Sequence, residues 1–222
     1  MSTTSTARYD SHADWFIDYS SDWRSAATDY LPEDLSDQRV LDLACGFGQL
    51  SRPLADRGAT VVGVDLAGQL IDRARQQESE EPRGVSYHVG SATATDWWDG
   101  TAFDGVVCNM ALMDIDDLDA ALATVRSVLR PGGWFTATLF HPCYPGDPQD
   151  PTSLPSWPPD RGYDAEGWWT TGQSGVRGHV GAHHRKLSSY LNAVLAAGLQ
   201  PTRFDERSTA LPTLFVITAT RS

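Results

Sequence analysis

The sequence is short of lysine, cysteine and unbroken apolar runs, and each shortage narrows what the chain can do. Lysine occurs once, as Lys186, against sixteen arginines, and acidic residues outnumber basic ones 29 to 17 for a formal net charge of −12. Binding a phosphate backbone requires clustered cations, so this balance argues against a nucleic-acid partner. The preference for arginine over lysine fits a GC-rich coding genome more simply than any chemistry. Cys45, Cys108 and Cys143 are too few and too widely spaced for a disulfide framework or a zinc pattern, which points to a reducing cytoplasm. No apolar run approaches the roughly 18 residues of a membrane span. The polar start MSTTSTARYD does not read as a secretory signal. The expected partner is a small molecule, with no membrane, and the expected assembly is a monomer or homodimer.

What is present suits a globular core. Of the 222 residues, 41% are hydrophobic and 10% aromatic, enough to bury one large domain or two small ones. From Asp10 to Tyr30 the residues Trp15, Tyr19, Trp23 and Ala26 recur at helical spacings of three and four. RVLDLA (39–44) then reads as a buried strand, Gly46 to Asp56 as a helix, and ATVVGVDL (59–66) as a second strand. A helix through Ile71 to Gln77 follows. GVSYHVG (84–90), FDGVVCNM (103–110) and GGWFTATLF (132–140) give three more strands, with a long amphipathic helix from Asp116 to Leu129. Strands alternating with helices predict a parallel sheet covered on both faces.

Residues 141–182 differ from the rest: they hold seven of the thirteen prolines and three of the eight tryptophans, Trp157, Trp168 and Trp169. A loop this long is a lid or a disordered segment, and its aromatic content favours a lid. The chain then regains a helix (Arg185 to Ala197) and ends in a hairpin, with strands near Gln200–Glu206 and Leu214–Ala219.

The most informative stretch is VLDLACGFGQLSRPLADRGATVVGVDLA. A hydrophobic strand enters Gly46 and Gly48, a helix follows, and a second strand ends in Asp65. Such a turn brings backbone close to a ligand at a helix N-terminus. Asp65 lies nineteen residues after Gly46, near the roughly 20-residue spacing of a carboxylate that binds ribose hydroxyls. An adenosine-bearing ligand follows from this spacing, without a choice among adenosine cofactors. A dinucleotide motif would place its third glycine at position 51, which is Ser51 here.

LDLACGFG, Asp65 and LRPGGWFTATL together resemble the class I S-adenosylmethionine-dependent methyltransferases, in the small-molecule branch similar to ubiquinone-biosynthesis enzymes. The resemblance covers residues 37–140 and extends loosely through LFHPCY and GAHHRKLSSYLNAVLAAGL. It implies an α/β fold: a Rossmann-like seven-stranded sheet, mostly parallel with the last strand antiparallel, helices on both faces and a lid inserted after strand 5. The whole chain, 1–222, is then one domain: a helical cap (1–36), a cofactor core (37–140), a substrate lid (141–182), and the last helix and hairpin (183–222). The implied cofactor is S-adenosylmethionine. Asp42, Ala44, Gly46 and Gly48 would surround its methionine part, Asp65 its ribose, Leu66 its adenine face, and Ser91 and Ala92 the adenine edge. Asn109 and Met110 would line it beneath the fourth strand. Ser91 stands where family members often have Asp, which weakens or rearranges the bond to the adenine amino group. The family's N-terminal helix closes the site, so Tyr9, Trp15 or Tyr19 is expected at the cofactor carboxylate.

Candidates for chemistry follow from that frame. An oxygen or nitrogen acceptor needs a base, and histidine titrates in the right range. His141 directly follows the fifth strand, at the sheet edge where open α/β folds place ligands. HVGAHH (179–184) holds three histidines. Gly181 argues against one continuous helix there, so His179 and His183 do not read as a metal pair, and no metal is expected. His183 and His184 become candidate bases or anchors facing His141. Asp114, Asp116 and Asp117 of MDIDD raise a magnesium alternative but read first as helix-capping residues. Trp97 and Trp98 read as packing. Met113, Tyr144, Trp157, Trp168 and Trp169 are expected to wall the acceptor. The expected function is methyl transfer to oxygen or nitrogen of a small, aromatic metabolite in bacterial secondary metabolism. C-methylation, a nicotinamide-dependent oxidoreductase and a non-catalytic cofactor-binding subunit stay open as alternatives.

Overall fold

The computed structural model describes residues 7–150, 153–172, 175–208 and 210–222. Its centre is built from the apolar runs of the sequence. Strands β1 (Arg39–Leu43), β2 (Thr60–Asp65), β3 (Ser86–Val89), β4 (Phe103–Asn109) and β5 (Leu129–Phe140) lie parallel. Two long strands, β8 (Leu199–Ser208) and β9 (Pro212–Arg221), complete a seven-stranded sheet of order β3-β2-β1-β4-β5-β9-β8. Strand β9 runs antiparallel to both of its neighbours, as the resemblance implies. Helices cover the central strands on both faces, so these strands read as continuous apolar runs without alternation.

Helices α2 (Ser51–Asp56), α3 (Gly68–Glu80), α4 (Leu118–Val128) and α6 (Leu187–Ala196) bury stripes at helical spacing. In α4 the stripe is Leu118, Ala121, Leu122, Val125 and Val128, and Asp117 caps the helix by accepting from Ala120 N at 2.9 Å. In α3 it is Leu70, Ile71 and Ala74. Strand β8 forms one sheet edge and carries Arg203, Asp205, Glu206 and Arg207, charges that discourage pairing with another chain.

Three elements differ from the sequence reading. The helix expected over residues 10–30 is α1 (Ala13–Ser20) alone, flanked by 3₁₀ turns at Asp10–His12 and Ala26–Tyr30. The helix after β1 starts at Ser51, because residues 46–50 form the turn itself. The segment expected to form a lid runs into a hairpin, β6 (Gly167–Trp169) paired antiparallel with β7 (Ala182–His184), with a single helical turn α5 (Val176–His179) between them. Strands of three residues are too short to leave a periodic signal. Among the described residues, no helix is long and apolar enough to cross a membrane.

Gly105, inside β4, has a packing role that a sequence pattern does not reveal. A Cβ there would come within 2.0 Å of the Trp134 ring, which is pinned by its Nε1–H donating to Gln38 Oε1 at 2.9 Å. Gly105→Ala is expected to destabilise the fold by about 1–3 kcal/mol through overpacking. Urea unfolding checks this, and an unchanged midpoint would show that Trp134 yields freely.

Candidate functional site

Order β2-β1-β4-β5 puts the reversal of winding between β1 and β4, and open α/β sheets bind ligands outside the strand ends at such a point. The backbone there is locally strained. Ala44, just past β1, and Met110, just past β4, hold φ of 59° and 54°, left-handed values that cost non-glycine residues energy. Gly46 and Gly48 also sit at positive φ, but for different reasons. A Cβ on Gly46 would meet nothing within 4 Å, so its outer face is open to a ligand. A Cβ on Gly48 would lie 2.3 Å from Tyr87 Oη, so this glycine is required by packing from below.

Asp65, at the end of β2, holds the turn in shape. Its Oδ2 accepts from Gly46 N and its Oδ1 from Ala67 N, both at 2.8 Å. Each carboxylate oxygen keeps a further lone pair, so a ribose hydroxyl can still donate to it. Burial pushes its pKa up, against the pull of those amide bonds. Leu66 beside it is half-buried, as are Ser91 and Ala92 at the end of β3. The Ser91 hydroxyl is turned to Thr93, lying 2.8 Å from Thr93 Oγ1 and accepting from Thr93 N. Trp97 Nε1–H and Trp98 Nε1–H donate to Ser91 O and Thr101 O, and both rings pack on the core.

Asp42 and Ser51 form a pair that the sequence reading missed. The buried Ser51 hydroxyl donates to Asp42 Oδ2 at 2.6 Å, which explains a serine in place of a third glycine. Asp42 thus lies beneath the turn, braced by α2. Its neighbours Cys45 and Tyr87 are also buried, and burial pushes both pKa values up, leaving the thiol protonated.

Past β4, Asn109 Oδ1 accepts from Ala27 N at 3.2 Å and Thr138 Oγ1 at 2.9 Å, tying the N-terminal segment to the sheet. Met113 is buried in the core, and its carbonyl accepts from His183 N at 2.7 Å. The three aspartates of MDIDD divide their work. Asp117 caps α4, whereas Asp114 Oδ2 accepts from Tyr9 Oη at 2.9 Å. Asp116 Oδ1 accepts from both Arg8 Nη2 at 2.6 Å and His183 Nε2 at 2.8 Å. Capping therefore accounts for Asp117 only. Asp65, Asp114 and Tyr9 are half-buried, and the charge of Asp65 reaches both of the others, so the three gather near the strand ends.

Trp15 and Tyr19 lie on the other side of α1. Tyr19 is 48% exposed and stacks on Trp15 at 4.9 Å, and Trp15 stacks on His179 of the lid at 3.9 Å. The face that meets the glycine turn carries Phe16, against Phe47, and Ser20, whose carbonyl accepts from Gln49 Nε2. Of the three N-terminal rings expected at the cofactor, Tyr9 bonds Asp114 past β4, whereas Trp15 and Tyr19 stack on each other and Trp15 on His179.

The three candidate bases also separate. His141 is 2% exposed, its Nε2 lies 2.7 Å from Glu206 Oε1, and its Nδ1 accepts from Cys143 N. Both ring nitrogens are committed to holding the lid entrance, so a free base at His141 does not fit. His184 is 1% exposed and donates from Nε2 to Tyr163 O at 2.7 Å, amid the rings of Trp157 and Tyr163. His183 alone pairs with a carboxylate that is itself fixed. Burial pulls its pKa below the usual histidine value, while Asp116 pulls upward. Tyr144 Oη lies 2.7 Å from Ser153 Oγ. In the hairpin, Trp168 and His183 share one face, and Trp169, Ala182 and His184 share the other. Arg8 lies over Trp168, 5.6 Å from its centroid. His179 ends α5 while His183 is in β7, so the two do not stand one helical turn apart. Among the described residues, no group of three or more His, Cys, Asp or Glu is placed to hold a metal.

The open face of Gly46, the strained strand ends and the Asp65 carboxylate fit an adenosyl cofactor with an amino-acid tail. Known proteins agree. Residues 41–137 match a family described as methyltransferase domain. A ubiquinone biosynthesis O-methyltransferase of Xanthomonas oryzae is 37% identical over 107 residues, 48% of this chain and 45% of that protein. The matched region thus spans under half the length of that relative. An S-adenosylmethionine-dependent methyltransferase of Mesorhizobium loti superposes with TM-score 0.71 at 27% identity, over 88% of this chain and 96% of that one. A putative S-adenosylmethionine-dependent methyltransferase of Listeria monocytogenes gives 0.69 at 25% identity, over 96% and 99%.

Asp42 offers a check on the buried turn. Burial raises its pKa to about 7, with the Ser51 bond opposing. The folded protein then keeps a proton that the unfolded chain releases above about pH 4. Stability accordingly falls as pH rises from about 4 to about 7. Asp42→Asn should remove part of that slope, on the order of 1.4 kcal/mol for each pH unit crossed; parallel stability curves for variant and wild type would contradict it. The turn, the strand order, the matched residues and the two superpositions converge: residues 41–137 match a methyltransferase domain, within a chain that is similar over most of its length to S-adenosylmethionine-dependent methyltransferases.

Proposed function

We propose that the protein transfers the methyl group of S-adenosylmethionine to an oxygen or nitrogen of a small, aromatic acceptor. The observation that carries this reading is the switch point at the C-terminal ends of β1 and β4, where Asp65 holds the glycine turn and Tyr9 meets Asp114. The cofactor, when bound, supplies a methyl already activated on a sulfonium. The chain's own work is to align the acceptor and exclude water.

The turn from Ala44 to Gly48 would receive the methionine part, Asp65 the ribose, and Leu66, Ser91 and Ala92 the adenine. Asp42 supports the turn from beneath, and Asn109 and Met110 shape the cofactor's other side. Tyr144, Trp157, Trp168 and Trp169 would wall the acceptor, with Met113 supporting the strand of His183 from the core. His183 is the base we favour. Its Nε2–H donates to Asp116, a carboxylate that can only accept, so Nδ1 carries the free lone pair. Its lowered pKa keeps it neutral at pH 7, ready to take a proton. His141 and His184 would set the lid's shape around that base. The relative named as an O-methyltransferase supports oxygen as the accepting atom.

Calorimetry should show binding of S-adenosylhomocysteine and none of NAD, with Asp65→Ala weakening the former about tenfold or more. Tight NAD binding would favour the oxidoreductase alternative. In a screen of small phenols and amines read by S-adenosylhomocysteine release, His183→Gln should lower kcat by about 10²–10⁴-fold and leave cofactor affinity unchanged. Turnover and affinity falling in step would remove His183 from the chemistry.

A further inference from the structure

Arg177 is a cation that the proposed reaction leaves unused. It sits on α5, and its charge is felt by Asp114, Tyr9 and Tyr190, residues of three separate segments around the C-terminal end of β4. Among the described residues its guanidinium makes no ion pair and no side-chain hydrogen bond. It lies over the Trp169 ring, 5.6 Å from the centroid. A guanidinium presents five N–H donors in a planar fork that matches a carboxylate, and an aromatic face is a common support for it. Asp114 attracts the guanidinium without bonding to it, so the fork stays open.

Trp169 gives a second, independent sign. It is 3% exposed, and its Nε1 is buried with no hydrogen-bond partner. Buried donors without an acceptor are uncommon in native proteins and call for an explanation. Trp169 pairs across the hairpin with Ala182, which belongs to the same buried core as Met113 and Tyr190. The indole that carries the orphan N–H thus lies 5.6 Å from the guanidinium, whose charge reaches Asp114 past the end of β4.

We propose that Arg177 and Trp169 together bind a carboxylate between the lid and the C-terminal end of β4. The inference rests on the methyltransferase reading, since one of two carboxylates in reach would be the cofactor's own and the other the acceptor's. Two titrations of the full chain distinguish them, each on wild type, Arg177→Met and Trp169→Phe. The first compares S-adenosylhomocysteine with 5′-methylthioadenosine, which lacks the carboxylate. The second compares benzoate with benzyl alcohol on protein loaded with S-adenosylhomocysteine.

If the cofactor's carboxylate is held, Arg177→Met weakens S-adenosylhomocysteine at least tenfold and leaves 5′-methylthioadenosine unchanged. If the acceptor's is held, benzoate binding is lost while benzyl alcohol and S-adenosylhomocysteine are unaffected. Trp169→Phe keeps the ring and removes the N–H, and should show a loss of threefold or more in the same arm. Equal binding by wild type and Arg177→Met in both arms, or equal losses for ligands with and without the carboxylate, overturns the proposal. Wild-type protein that binds neither adenosyl compound would overturn the methyltransferase reading instead.

Discussion

Two backbone amides, those of Gly46 and Ala67, converge on the carboxylate of Asp65, and the rest of the cleft depends on that convergence. One bond fixes the turn after β1 against the end of β2, and the other fixes the entry into α3. Charged acceptors make these bonds stronger than neutral ones would be. They also leave the outer face of Gly46 uncovered and put the carboxylate at the cleft wall. Below, the Asp42–Ser51 pair braces the same turn from inside the sheet. The turn is thus held by carboxylates from two adjacent parallel strands. Burial raises the pKa of both, an arrangement that suits a cationic ligand better than an anionic one.

The opposite wall is assembled by charges that connect distant parts of the chain. Asp116 receives Arg8 from the N-terminal segment and His183 from the lid hairpin, while Arg185 donates to the carbonyls of Leu112, Ile115 and Asp116. Trp15 on α1 stacks on His179, so cap and lid also meet through rings. Cap, hairpin and the segment after β4 therefore share partners, so the position of each is tied to the others. This coupling links the fold to catalysis, since an aligned acceptor in a dry cleft is most of what methyl transfer requires.

Features that depend on local sequence are legible in the chain's own residue pattern. The apolar runs mark the parallel strands, and the spacing from Gly46 to Asp65 marks the adenosine side. Features set by long-range partners are not legible there. His141 looks like a base by position, but Glu206 lies 65 residues away in sequence and claims its Nε2. Trp15 and Tyr19 mark a helix, but spacing alone does not say whether that face meets the cofactor or the lid. The three-residue strands β6 and β7 exist through pairing alone. Ser51 carries a usable signal: a polar residue at the glycine position of the turn, nine residues beyond a strand aspartate. Arg177 leaves none, because its meaning comes from Trp169 and Asp114.

A crystal structure with S-adenosylhomocysteine bound tests the placement of this cleft most directly. The adenosine should lie against Asp65 and Leu66, and the sulfur should sit over the turn near Met110, facing the lid side that holds Asp114 and His183. Ligand found elsewhere, for example beneath the hairpin among Pro158, Arg161 and Trp168, with the Gly46 turn and the Asp65 wall bare, would contradict it.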